Sequence, residues 1–309
     1  MTHVLISGGT RGIGASIAKK YLTNGYFVTC LYSSNDTSAM NFSDSLADFS
    51  DKLNVIKCDV ASPADVKCAF DLATNTFGDI DVFVSNAGIS LVGLADTFSF
   101  DDYHKIMDIN FGGFFNLTKL IIPNMVHRKS GSIVAISSMW GKEGASCEAL
   151  YSATKGAIDS YVKSLAKELG PSGIRVNAVS PGVVKTDMLN CFSREDLDSL
   201  AEETPLGRIG NPDDISNMVY FLTSDEGNFI TGQTLRICKV NIKSFYEAMS
   251  DIVPFFEQMQ GTTFPNEKAF TKHCNEAIEH YYQMAIDHIP SKKKDGYFYL
   301  CIHGIDLNL

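Results

Sequence analysis

The chain has 309 residues and a mass of 33.8 kDa, 45% hydrophobic and 20% charged, the proportions of a soluble globular protein with room for a large core. A formal net charge of -10 and a pI near 5.1 argue against broad nucleic-acid binding through phosphate neutralisation. No uninterrupted apolar stretch is long enough to span a bilayer, Met1 leaves too little room for a signal peptide, and the eight cysteines show no C-x-x-C or metal-ligand rhythm. A cytoplasmic location with reduced thiols and no membrane partner is expected.

The first apolar, β-prone run covers residues 4–7 and leads into Ser7-Gly8-Gly9-Thr10-Arg11-Gly12-Ile13-Gly14. From Ala15 to Leu22 apolar residues recur at helical spacing. A strand, a tight turn and a helix N-terminus form an anion site, because unpaired backbone N–H groups and the helix dipole converge there. Gly8 can take the tight turn, Gly12 lets backbone approach a pyrophosphate, and Gly14 lets helix and strand pack closely. Further strands are predicted at 27–32, 54–57, 82–85, 132–137, 175–180 and 234–237, with helical segments between them. Their near-continuous apolar character fits strands covered on both faces, so the expected fold is α/β, a Rossmann-type doubly wound parallel sheet.

In Tyr151-Ser152-Ala153-Thr154-Lys155, at the start of a predicted helix, the four-residue spacing puts the phenol and the ammonium on one face. A free phenol has a pKa of about 10, too high for efficient proton exchange near neutrality, and a nearby ammonium is expected to lower it. Ser138 ends an apolar strand at the carboxyl edge, where such sheets bind ligands, and its hydroxyl can hydrogen-bond a carbonyl. Asn110, in Ile109-Asn110-Phe111-Gly112-Gly113, can hold a water that links Lys155 to solvent.

With these residues in this order, the chain resembles the classical short-chain dehydrogenase/reductase family over residues 1–237. The resemblance includes Asn86-Ala87-Gly88 after the fourth strand, Asp59 after the third, and Pro181-Gly182 with Thr186 after the sixth; Ser7 stands where threonine is usual. It implies a ketone reductase in which Tyr151 is the general acid, Ser138 orients the carbonyl, Lys155 binds the nicotinamide ribose and assists Tyr151, and Asn110 completes a proton relay. It further implies a cofactor site of Gly8, Thr10, Arg11, Gly12, Ile13 and Gly14, with Tyr32 and Ser33 at the second strand. Asp59 and Val60 would lie near the adenine, Asn86, Ala87 and Gly88 along the cofactor, and Pro181, Gly182 and Thr186 near the carboxamide.

Cofactor choice rests on Leu31-Tyr32-Ser33-Ser34-Asn35, which lacks the acid that would bind a ribose 2′-OH and repel a 2′-phosphate. Arg11 is a candidate phosphate partner, so NADPH is expected; Asp36 is the opposing consideration.

Within the family, Ile136-Ser137-Ser138, Pro205-Leu206-Gly207-Arg208 and Ile230-Thr231-Gly232-Gln233 are similar to 3-oxoacyl-[acyl-carrier-protein] reductases of fatty acid biosynthesis. The stretches 127–131, 138–141 and 144–148, the last being Gly144-Ala145-Ser146-Cys147-Glu148, resemble reductases of the 5-aminopentanone group on modified elongation factor P. The expected substrate is a 3-oxoacyl thioester on acyl carrier protein, with the elongation factor ketone, another small ketone or a hydroxysteroid as alternatives. Both carried substrates imply a basic docking patch beside the cleft, to which Arg128 and Lys129 are candidates; Ser172 stands where carrier-protein reductases often have a second basic residue. Residues 188–203, including Phe192, Arg194 and Glu195, are expected to line or cover the pocket. A non-enzymatic alternative is an NADPH-sensing scaffold.

The resemblance ends at Ile237, where the family's Gly-Gly turn is replaced by Cys238-Lys239 and about seventy residues follow. Residues 238–309 are expected to form a mostly helical extension, with helices at 243–260 and 266–289, a kink at Pro254 and a short strand at 297–302. His273, Glu276 and His280 share one face of the second helix without a recognised ligand pattern, so no metal is expected. The resemblance implies a homo-oligomer, a tetramer or dimer, which the altered C-terminus puts in question.

Overall fold

The computed structural model describes residues 2–189, 193–202 and 204–238. The expectations for the C-terminal extension and for Phe192 lie outside these residues. The strands are β1 (His3–Ser7), β2 (Phe27–Tyr32), β3 (Leu53–Lys57), β4 (Val82–Ser85), β5 (Gly131–Ile136), β6 (Ile174–Pro181) and β7 (Thr234–Ile237). The α-helices are α1 (Gly12–Thr23), α2 (Asp36–Asp44), α3 (Pro63–Phe77), α4 (Phe100–Met107), α5 (Gly113–Arg128), α6 (Trp140–Glu143), α7 (Ala149–Leu169), α8 (Arg194–Glu202) and α9 (Pro212–Thr223).

The strands form one parallel sheet in the order β3-β2-β1-β4-β5-β6-β7. Chain order reverses between β1 and β4, and at such a switch point the loops leaving adjacent strands diverge and open a crevice at the carboxyl edge. Side chains alternate across each strand, so both faces need cover. Leu5, Phe83, Ile133 and Val176 face a core closed by α3, α5 and α7 through Val66, Leu117, Ile121 and Val162. Val4, Ile6, Val28, Val84 and Val179 face a second core closed by α1 and α9 through Ile17, Tyr21, Ile215 and Val219. This double cover explains the uninterrupted apolar strands of the sequence.

Local chemistry sets the helix starts. Ser62 accepts from the Asp65 N–H ahead of Pro63, and Ser99 with Asp102 forms a reciprocal capping box for α4. Between α4 and α5 the chain passes through a π-helical turn, Asp108–Gly112, which contains Asn110. Among the described residues no helix is long and apolar enough to cross a membrane. Cys30 and Cys58 are buried, Cys68 is exposed, and all three are free thiols, as are Cys147 and Cys238.

Candidate active site

The crevice is built first by the turn from β1 into α1. Gly8 and Gly12 adopt φ of +65° and +52°, a region that strains side-chain-bearing residues. A Cβ on Gly14 would lie 2.0 Å from the Gly8 carbonyl oxygen, so only glycine fits that close approach. Gly9 carries a similar constraint not assigned from the sequence: a Cβ there would lie 2.7 Å from Cys30 on β2. No side chain caps α1 and no acid lies in its first turn, which leaves its N-terminal N–H groups directed at the crevice. Thr10 is buried at the turn, and Ile13 packs toward the α1–α9 core. The Thr186 methyl lies under Gly12, where an added Cβ would meet it at 3.3 Å.

At β4 the Ser7 hydroxyl accepts hydrogen bonds from the Asn86 and Ala87 N–H groups at 3.0 and 3.1 Å. The hydroxyl shared with threonine is therefore the part of residue 7 in use. Asn86 donates its side-chain amide to the Ser7 and Gly8 carbonyls, which places it as a brace for the glycine turn. At β6, Pro181 accepts from the Met139 N–H, and Gly182 donates to Ile237; a Cβ on Gly182 would lie 2.0 Å from the Cys238 carbonyl oxygen.

Tyr151 and Lys155 lie one turn apart on α7. The Lys155 ammonium is 5.5 Å from the Tyr151 ring centroid and donates to the Ile136 carbonyl at 2.8 Å. A Cβ on Gly88 would lie 3.6 Å from that ammonium and 3.3 Å from Asn110 Oδ1, so α7, the π-turn and the segment after β4 converge on one point. Asn110 is buried; its amide donates to the Ile89 carbonyl and Thr154 Oγ1, and its Oδ1 accepts from the Ile89 N–H. Both amide hydrogens are thus committed to protein groups, and what remains for a water is acceptor capacity. Thr154, which the sequence reading passed over, completes this clamp, and Ser138, at the end of β5, accepts from the Trp140 N–H.

The electrostatics differ from the sequence expectation. Burial dominates at Tyr151 and pushes its pKa up to about 12; a hydrogen bond with Ser138 opposes that rise and the charge of Glu148 adds to it. Burial also pulls the Lys155 ammonium down to about 8, with Asp159 opposing. The predicted lowering of the phenol pKa is therefore replaced by a rise, because desolvation dominates and the Lys155 ammonium directs its hydrogen bond to a main-chain carbonyl.

At the β2 edge Tyr32 donates to Asp36 at 3.1 Å, and Lys57 ion-pairs with the same carboxylate at 2.9 Å. Lys57 and Tyr32 hold its pKa below the ordinary carboxylate value. Lys57 was missed in the sequence, although as the last residue of β3 it stands in register with Tyr32. Ser33 and Asp59 are exposed, and Val60 is buried against Gly113 of α5. Arg11 instead pairs with Asp187 at 3.7 Å.

Arg128 is corrected as a docking residue. It is held by Asp79, Asp81 and the Ile80 carbonyl, which precede β4, and Lys129 lies against Gly173, which precedes β6. Both stand at the amino edge, because α5 runs back from the carboxyl edge before β5 begins.

A doubly wound sheet with a glycine cradle at its switch point and a Tyr–Ser–Lys–Asn cluster at the same edge defines an NAD(P)-dependent oxidoreductase. A family model described as enoyl-(acyl carrier protein) reductase matches residues 8–239, and the chain belongs to the short-chain dehydrogenase/reductase family. The uncharacterized oxidoreductase YmfI of Bacillus subtilis is 38% identical over 234 residues, 75% of this chain and 96% of the relative. The 3-oxoacyl-[acyl-carrier-protein] reductase FabG of Staphylococcus epidermidis is 35% identical over 233 residues, 75% of this chain and 96% of the relative. Two solved structures share the fold. One described as ElxO with NADP bound has a TM-score of 0.71 and 32% identity, covering 76% of this chain and 96% of its own. One described as the crystal structure of gox2181 has a TM-score of 0.72 and 28% identity, covering 76% of this chain and 93% of its own.

Proposed function

We propose that the protein is an NADPH-dependent ketoreductase. The observation that carries this reading is the convergence of Tyr151, Ser138 and Lys155 beside the glycine cradle. NADPH, when bound, would supply the hydride. Gly8, Gly12 and the open N-terminus of α1 would hold its pyrophosphate, and Lys155 and Gly88 would meet the ribose on the nicotinamide side. Ser138 hydrogen-bonds the carbonyl oxygen, and Tyr151 donates the proton to it. A phenol with a pKa near 12 stays protonated throughout the neutral range, so the donor is present in its acid form, although a value that high makes it a weak acid. The Asn110 clamp fixes the floor of the site and offers an acceptor to a relay water. For the 2′-phosphate, Tyr32, Ser33, Lys57 and Arg11 supply hydroxyls and cations, with the Asp36 charge offset by Lys57.

The names of the FabG relatives support a 3-oxoacyl thioester on acyl carrier protein as substrate; a role in fatty acid biosynthesis and a cytoplasmic homo-oligomer are proposed with it. The ketone of modified elongation factor P is the second reading, supported by the resemblance of residues 127–131, 138–141 and 144–148. The test is consumption of NADPH and NADH with acetoacetyl and crotonyl thioesters. Acetoacetyl turnover with NADPH is expected; crotonyl turnover alone would replace carbonyl reduction by carbon–carbon double-bond reduction.

A further inference from the structure

We propose that Asp159 is a positioning residue for the Tyr151 chemistry, its carboxylate holding the buried Lys155 side chain in the ammonium form that assists the phenol. The inference rests on the ketoreductase reading above and adds a residue to its site. Asp159 follows Lys155 on α7 by one turn, as Lys155 follows Tyr151, so the three share a helix face. It is 7% exposed in the interior of that helix, where an apolar side chain is the ordinary occupant. Three elements meet its carboxylate. Thr234 of β7 donates to Oδ1 at 3.4 Å, and Ser137, which follows β5, donates a second hydrogen bond. On α6, a Cβ at Gly141 would lie 2.9 Å from Oδ2 and 3.0 Å from the Lys155 carbonyl oxygen, so glycine lets that segment close on the pair.

The charge of this group has a counterpart. Lys155 is 4% exposed, and Asp159 is the charge that opposes the burial pulling its ammonium down. Burial in turn raises the Asp159 pKa, against the Ser137 and Thr234 hydroxyls and the Lys163 and Lys155 ammonium groups. Lys163 is exposed, one turn further along α7. Arg236, two residues beyond Thr234 on the same face of β7, ion-pairs with Glu143 of α6. Glu148 acts on Tyr151 and accepts from Ser90. A latch between α7 and β7 would need only a neutral hydrogen-bonding side chain at 159, since a buried carboxylate costs more than an amide of the same shape. What the carboxylate adds is charge beside Lys155.

The experiment uses the full native chain beside Asp159→Asn and Asp159→Ser, the second a smaller side chain. Two readings are taken: the pH profile of kcat/KM for NADPH-dependent reduction of an acetoacetyl thioester, and an NMR titration of the Lys155 side chain in protein carrying isotope-labelled lysine, assigned by its loss in Lys155→Met. The alkaline limb of the native profile is expected at about pH 8, because Lys155 loses its proton well before Tyr151 at about 12. Asp159→Asn should move both that limb and the Lys155 titration about one pH unit lower, since no negative charge then favours the ammonium. Asp159→Ser should do the same, and it carries the test if the amide variant does not fold. A fall in kcat with the limb and the Lys155 titration both unmoved is the behaviour of a structural latch and would overturn the proposal. The NMR titration needs no turnover. A native chain that reduces no ketone would count against the ketoreductase reading, while the Lys155 titration still decides whether Asp159 holds its charge.

Discussion

Lys155 shows how the site spends stability on chemistry. Its ammonium is buried and its pKa falls from an ordinary 10.5 to about 8. Between these values the unfolded chain binds more protons than the folded one, so the folded state gains stability as pH rises from about 8 toward 10.5 and bears the full cost below 8. At about 1.4 kcal/mol per pH unit, that cost is on the order of 3 kcal/mol, reduced by the hydrogen bond to Ile136. Lys155→Met is therefore expected to abolish reduction while stabilising the fold at pH 7 by about 1–3 kcal/mol, with the gain shrinking as pH rises above about 8 and gone near pH 10.5. Denaturant melts at the two pH values check this; a destabilised variant at pH 7 would contradict it. The identities of Tyr151, Ser138 and Lys155 were legible because one helical turn and one strand end suffice to bring them together. Their pKa values were not, since burial depends on how β5, α4 and α7 close over them. Lys57 and Thr154 were passed over for a related reason: each matters through a partner distant in sequence.

At the scale of the elements, the strands were legible to within about a residue because a sheet covered on both faces needs unbroken apolar runs. The π-turn was not, as nothing in Asp108-Ile109-Asn110-Phe111-Gly112 sets it apart from ordinary helix by periodicity. The glycine turn was read correctly in outline, and the structure adds the reason for each residue: positive φ at Gly8 and Gly12, close approach at Gly9 and Gly14. Gly14→Ala forces a Cβ into the Gly8 carbonyl, so either α1 moves out or the turn opens. The expected cost is about 1–3 kcal/mol of stability together with loss of cofactor binding. Thermal unfolding with and without NADP⁺ measures both; an unchanged cofactor-induced shift in Tm would show that the cradle tolerates displacement.

Over the whole described unit, topology decides which groups can meet the substrate. The β1–β4 switch point gathers the glycine cradle, the Tyr151 cluster and the Lys57–Asp36 pair at one edge, and α5 carries Arg128 and Lys129 to the other. The amino-edge place of residues 127–131 follows from the predicted strand at 132–137, since in a parallel sheet the residues just before a strand lie at its amino edge; the docking expectation overlooked that consequence. The exposed apolar side chains Leu72 and Phe115, on the contacting helices α3 and α5, fit the proposed homo-oligomer. Light scattering of the full chain should accordingly give a multiple of 33.8 kDa, and a monomer would refute that assembly.

The central claim is that Tyr151 is the proton donor of an NADPH-dependent carbonyl reduction. The most direct measurement is the rate of NADPH oxidation with a reducible ketone by Tyr151→Phe beside the native chain, with the NADPH dissociation constant of each. Loss of the hydroxyl should lower kcat by about 10²–10⁴-fold while the dissociation constant stays within a few-fold. Turnover undiminished by Tyr151→Phe would contradict the account, leaving a cofactor site whose chemistry runs through some other residue.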